Sequence, residues 1–241
     1  MTPIKSNMKH IIIAATCISV ILLSCSKDNN NPAPPPPPEP TDQSFSTSFE
    51  DIGELQSQGW VFTNLSDDRG TGWSIEPATG NGEPPFDGSN LMYDSYAATN
   101  DPGSTTGNIS DWLISPKIYF QNGDKISFYT LSHGSVGYGQ YGAYGDRLQL
   151  RLNVFNTSDS IGEASTDVGY FNSPLLDINP LYKVAPPGDY PSTWTKYEAT
   201  ITGLNQPDSG RFAMRYFVQL NGGANGDEIA VDKLEFTSAN H

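Results

Sequence analysis

Between residues 44 and 238 the apolar positions recur at every second residue in short runs separated by turn residues. The run Asp146–Phe155 shows the pattern most clearly. Leu148, Leu150, Leu152 and Val154 alternate with Gln149, Arg151 and Asn153, the period of a strand that buries one face and wets the other. Arg211–Leu220 repeats it with Phe212, Met214, Tyr216, Val218 and Leu220. Lys125–Leu131, Trp194–Thr202, Phe45–Glu50, Gly59–Asn64 and Leu91–Tyr96 are further predicted strands. Near the end, Ile229 and Val231 share one parity while Leu234 and Phe236 take the other, which predicts a β-bulge near Asp232-Lys233. The stretch Phe171–Pro191, rich in Pro and Asn, reads as an ordered excursion with a short helical turn or none. Many short strands with regular turn signals, no break in composition and no fixed repeat predict one all-β domain over 44–238. Its expected architecture is a jelly-roll β-sandwich of two antiparallel sheets.

The other apolar run has a different character. Met8-Lys9-His10 and then Ile11–Leu23 form a basic start and an unbroken hydrophobic stretch, of the length of a signal peptide and too short for a comfortable membrane span. It ends in Leu22-Leu23-Ser24-Cys25, which resembles the lipobox of bacterial lipoproteins. That resemblance implies cleavage after residue 24, acylation of Cys25 and attachment to a lipid bilayer. Residues 1–24 are thus an expected leader and 25–43 a lipid-anchored tether. In the tether, Pro32–Pro40 favours an extended polyproline helix that holds the domain off the membrane. The polar Ser26-Lys27-Asp28-Asn29 resembles in part a tag for export to the outer membrane or cell surface, and a periplasm-facing position is the alternative.

Charge narrows the partners. Thirteen Lys and Arg stand against 27 Asp and Glu, and loss of a leader carrying Lys5 and Lys9 but no acid takes the formal charge from −14 to −16. Nucleic acid is excluded as a natural partner, whereas calcium suits a surface rich in carboxylate oxygen. Cys17 and Cys25 both belong to the leader region, so the domain has no disulfide framework and no cysteine zinc site. Of the three histidines only His133 lies inside it, with no nucleophile motif beside it, no zinc-protease helix and no phosphate loop.

The segments Phe49-Glu50, Gly72-Trp73, Asp111-Trp112-Leu113-Ile114-Ser115-Pro116, Leu176-Asp177-Ile178-Asn179-Pro180, Tyr190-Pro191, Arg215-Tyr216-Phe217-Val218 and Ile229-Ala230-Val231-Asp232 follow one another in an order that resembles choice-of-anchor J domains, which are similar to cleaved-adhesin modules. The resemblance implies a jelly roll related to carbohydrate-binding modules, with Trp73 and Trp112 as packing residues. It also implies a structural calcium where the end of the first strand meets the last, at Glu50 and Asp232 here. Carbonyls of the Asp87-Gly88-Ser89-Asn90 turn, with Asp87 and Ser89 foremost, would complete a shell of about six to eight oxygens. The residues alone leave another reading open, with Glu50 a cap and Asp232 an exposed strand residue. Asp67-Asp68-Arg69-Gly70 reads as turn chemistry.

For ligand binding, Tyr138, Tyr141 and Tyr144 stand among glycines in Gly134–Gly145. They form either a platform on which sugar rings stack or a loop folded back over the sandwich edge. The function expected from all of this is non-enzymatic: a lipid-anchored surface or envelope module for adhesion or binding of a glycan or protein, with calcium as structural ion. Two alternatives stay open, a glycan hydrolase using a carboxylate pair and a purely structural envelope domain.

Overall fold

A computed structural model describes residues 42–68, 72–77, 85–87, 90–95, 107–132, 145–219, 225–226 and 228–239, with backbone alone at 76–77 and 90–95. Among the described residues twelve strands and one short helix follow in chain order: β1 (Phe45–Thr47), α1 (Ile52–Ser57), β2 (Val61–Asn64), β3 (Gly72–Pro77), β4 (Asn90–Ser95), β5 (Asn108–Ile114), β6 (Ile118–Phe120), β7 (Lys125–Ser132), β8 (Leu148–Asn153), β9 (Ser173–Ile178), β10 (Thr195–Thr200), β11 (Asp208–Gln219) and β12 (Ile229–Thr237). They build two six-stranded antiparallel sheets. The first runs β10-β7-β12-β4-β3 with β1 also on β12; the second runs β2-β5-β11-β8-β9 with β6 also on β11. This is the expected jelly-roll sandwich of two antiparallel sheets. All described residues fall in the unit Glu39–His241, and the expected leader and Cys25 lie outside the described residues.

The core lies between the sheets. Phe212, Met214, Tyr216 and Val218 of β11 face it from one side, and Ile126 and Phe128 of β7 with Ile229, Val231, Leu234 and Phe236 of β12 from the other. Each such side chain fully buried contributes roughly 2 kcal/mol by apolar transfer, and the period of two delivers them to one face.

Three sequence expectations are corrected. Gln149, Arg151 and Asn153 do not face water, since β8 is buried along its whole length. A second apolar cluster of Trp112, Ile114, Ile161, Phe171 and Ala213 covers the outer face of that sheet, its Ile161 and Phe171 coming from the connection between β8 and β9. The Phe171–Pro191 excursion contains strand β9, which pairs with β8 through a register shift between Leu150 and Arg151. Pro174 fits there because β9 is a sheet edge. Third, β1 stops at Thr47, because Phe49 turns to φ 54° and is wholly buried.

Candidate functional site

The most irregular point of the first sheet is β12 at residues 232–233. Pairing with β7 shifts register between Asp232 and Glu235, and Lys233 stands at φ 45°, so the sequence parity break is a bulge in the structure. On its other edge β12 changes partner across the same point. Ile229–Val231 pair with β4, and Leu234–Phe236 with β1. The bulge therefore sits at the junction between the end of one neighbouring strand and the start of another.

Asp232 occupies this junction with 0% exposure, which sets aside the reading of it as an exposed strand residue. Its Oδ2 accepts from the Asp87 amide at 2.8 Å and its Oδ1 from the Lys233 amide at 2.7 Å, and the Phe86 amide also donates to it. Burial raises its pKa from 3.8 to about 6, and these amides oppose the rise. A carboxylate so placed ties the 85–87 segment to the sheet. Just outside it, Glu50 and Asp87 share the wall of a cavity of about 310 Å³ with Ser46, Thr47, Asp51 and Glu54. Glu50 is exposed. Asp51 is engaged as the N-cap of α1, its Oδ1 accepting from Gly53 and Glu54 at 2.7 and 3.0 Å. Lys233 Nζ lies 3.4 Å from Asp87.

The structure thus brings Glu50 and Asp87 to one cavity and sets Asp232 behind Asp87. Ser89 lies outside the described residues, as do Tyr138, Tyr141 and Tyr144. Among the described residues no three acidic, histidine or cysteine side chains converge as a metal cluster. An ion bridging Glu50, Asp87 and Asp232 would therefore need carbonyl and water oxygens to make up most of its shell, a mixture that calcium accepts. The raised pKa of Asp232 suits that role, because a nearby cation stabilises the charged form that burial disfavours.

The outer face of the first sheet carries a group that sequence reading passed over. Phe86, 40% exposed, stacks on Tyr129 of β7 with ring centroids 3.7 Å apart and planes 16° from parallel. Trp194 meets Phe86 edge-on at 6.2 Å and 62°, and Lys233 Nζ stands 6.0 Å from the Phe86 ring centre. Tyr129 points outward because Ile126, Phe128 and Thr130 point inward. Trp194 rests on Leu131 and Ala230. The parity of Tyr129 was legible in the sequence, but its meeting with Phe86, 43 positions earlier, was not.

The second sheet's covered face holds the buried cations. Arg215, 2% exposed, donates from Nε to Ser110 Oγ at 3.0 Å, from Nη1 to Gln149 Oε1 at 3.4 Å and from Nη2 to the Ser165 carbonyl. Its guanidinium also lies 3.8 Å from the Phe217 ring centre and 4.9 Å from that of Trp112. Burial lowers its pKa to about 9, with the charges of Arg151 and Arg147 adding to the effect. Arg147 grips Asp177 through Nε and Nη2 at 2.8 and 2.6 Å. For Asp177, burial acts upward, but bonds from Arg147 and Gln149 outweigh it and hold the carboxyl below its ordinary value. These groups are engaged with one another and with main-chain oxygens, an arrangement that fixes the cover segment.

Comparison with solved structures places this geometry. The K1 cleaved-adhesin domain of Lys-gingipain from Porphyromonas gingivalis W83 aligns over 81% of this chain and 98% of its own, at 18% identity and a TM-score of 0.51. The chain shares that domain's fold. The K2 cleaved-adhesin domain of Lys-gingipain aligns over 81% and 98% at 16% identity and a TM-score of 0.45. A family 11 carbohydrate-binding module from Clostridium thermocellum, in complex with a β-1,3-1,4-mixed-linked tetrasaccharide, aligns over 82% and 96% at 16% identity and a TM-score of 0.40. No protein-family model matches the chain, and no curated protein does. The likeness is one of fold and rests on the K1 domain, and a shared fold does not fix a function.

Proposed function

We propose that the chain is a lipid-anchored binding or adhesion module of the cell envelope, of the choice-of-anchor J type. In this reading it is non-enzymatic, takes a glycan or a protein, and uses calcium as a structural ion. One observation carries the binding role: an ordered aromatic group stands on the outer face of the first sheet. Phe86, 40% exposed, is held in place there by Tyr129 and Trp194. Rings fixed in this way bring apolar area to a ligand at small entropic cost.

Calcium enters as support for that face. Bound by Glu50, Asp87 and Asp232 at the partner change of β12, it would neutralise a buried carboxylate and fasten the 85–87 segment that carries Phe86. The lipid anchor follows from the lipobox-like Leu22–Cys25. The test is display of the full chain on cells, with labelled fatty acid followed onto Cys25 and onto a Cys25→Ala control. The displayed chain is probed with labelled polysaccharides and envelope proteins, and release of reducing sugar is assayed alongside. Acylation lost in the control, with binding and no release of sugar, is the expected result. Turnover abolished by a single Asp or Glu substitution would replace this reading with the hydrolase.

A further inference from the structure

We propose that Phe86, Tyr129 and Trp194 form a stacking site for one ring of a neutral glycan; the inference rests on the reading of the chain as a surface binding module and names its ligand and place. Phe86 lies flat on Tyr129, so one of its faces is spent on the protein and its orientation is fixed. Trp194 stands against it at a steep angle, making an L-shaped corner on the outer face of the sheet. Such a corner fits a pyranose ring, whose C–H face packs on one aromatic plane while its edge meets the other. Fixed rings make this contact at small entropic cost.

The charges around the corner decide between ligand classes. Cross-strand pairing puts Tyr129 opposite Lys196 and Asp232, and Ser127 opposite Glu198 and Glu235, so all share this face. Three lysines project there, and each has a carboxylate beside it: Lys233 with Asp87 at 3.4 Å, Lys196 with Glu235 at 3.9 Å and Lys125 with Glu198 at 2.8 Å. In a chain whose formal charge is −14, the described part of this face is balanced. It offers neither the unpaired cations that a polyanion needs nor the bare carboxylates that a basic peptide needs. What it offers is alternating ammonium donors and carboxylate acceptors at the rim of an aromatic plane. Adjacent hydroxyls of a neutral sugar pair with such groups without either side losing a net charge.

The experiment is affinity electrophoresis of the detergent-solubilised full chain in gels containing galactan, mixed-linkage β-glucan, mannan or, as the anionic probe, polygalacturonate. Retardation by at least one neutral polymer is expected. Phe86→Ala should weaken it about tenfold and Phe86→Trp should keep it. Phe155→Ala, which removes a 64% exposed ring elsewhere, should leave it unchanged. Circular dichroism of each variant checks the fold, and the exposure of Phe86 makes its loss tolerable. Neutral glycan bound equally by Phe86→Ala overturns the stacking site and leaves the binding module standing. So does capture of an envelope protein with no polysaccharide bound. Retention by polygalacturonate alone overturns the neutral ligand, and absence of any ligand in both assays overturns inference and module together.

Discussion

Removing the charge of Asp232 should abolish a loss of stability that sets in as pH rises, and the sign follows from the bulge. In the folded chain this carboxyl titrates at about 6 against an ordinary 3.8, because it is wholly buried. A folded pKa above the unfolded one means that its contribution is fully favourable below about pH 4. It is lost as pH rises through about 6 and stays lost above. The difference corresponds to roughly 3 kcal/mol at neutral pH. Asp232→Asn keeps one oxygen acceptor for the Asp87 and Lys233 amides and gives up the other, which subtracts about 1–2 kcal/mol at every pH. The informative quantity is therefore the change in the mutant-minus-wild-type difference between about pH 4 and about pH 7.5. Urea denaturation of both proteins in chelator should show Asn gaining up to roughly 3 kcal/mol on the wild type over that interval. Asp177 and Asp167, whose carboxyls are held low, lose stability toward acid instead, but they are common to both proteins and cancel. Calcium at about 100 times its dissociation constant adds about 2.7 kcal/mol, close to what the buried charge costs. It should restore the wild type at neutral pH and leave Asp232→Asn unmoved. A mutant-minus-wild-type difference identical at the two pH values refutes the electrostatic reasoning, and a wild type indifferent to calcium at neutral pH refutes the ion.

Two further predictions concern the second sheet. Arg215→Lys should cost about 2–4 kcal/mol in urea denaturation, because an ammonium cannot reach Ser110, Gln149 and the Ser165 carbonyl together while lying against Phe217 and Trp112; a loss below about 0.5 kcal/mol would show that the planar fork is dispensable. Gly210→Ala should lower the melting temperature by about 6–12 °C, since an added Cβ would stand 2.0 Å from the Asn153 carbonyl oxygen, a main-chain atom held in β8; an unchanged melt by calorimetry would mean that β8 and β11 part there without cost.

What the sequence discloses and what it hides have separate physical causes. Strands β7, β8, β10 and β11 were legible because one of their faces meets the core at period two. The burial of Gln149 and Arg151 was not, since it depends on a segment that returns over them from 154–172, and a polar residue under such a cover looks like any solvent-facing one. The same limit applies to β5, where Ser110-Asp111-Trp112-Leu113-Ile114 is buried on both faces and no alternation survives. The break of parity at Asp232 was legible as a local irregularity, but its consequence needs three strands at once. Because β12 exchanges β4 for β1 at that point, a carboxylate can enter the gap and collect amides from 86 and 87. The additional bulge residue, Lys233, then reaches Asp87 and the Phe86 ring. The acidic junction and the aromatic corner, each drawn from distant parts of the chain, are held by one irregularity, so a change that straightens β12 should disturb both while a change in Phe86 disturbs only the second.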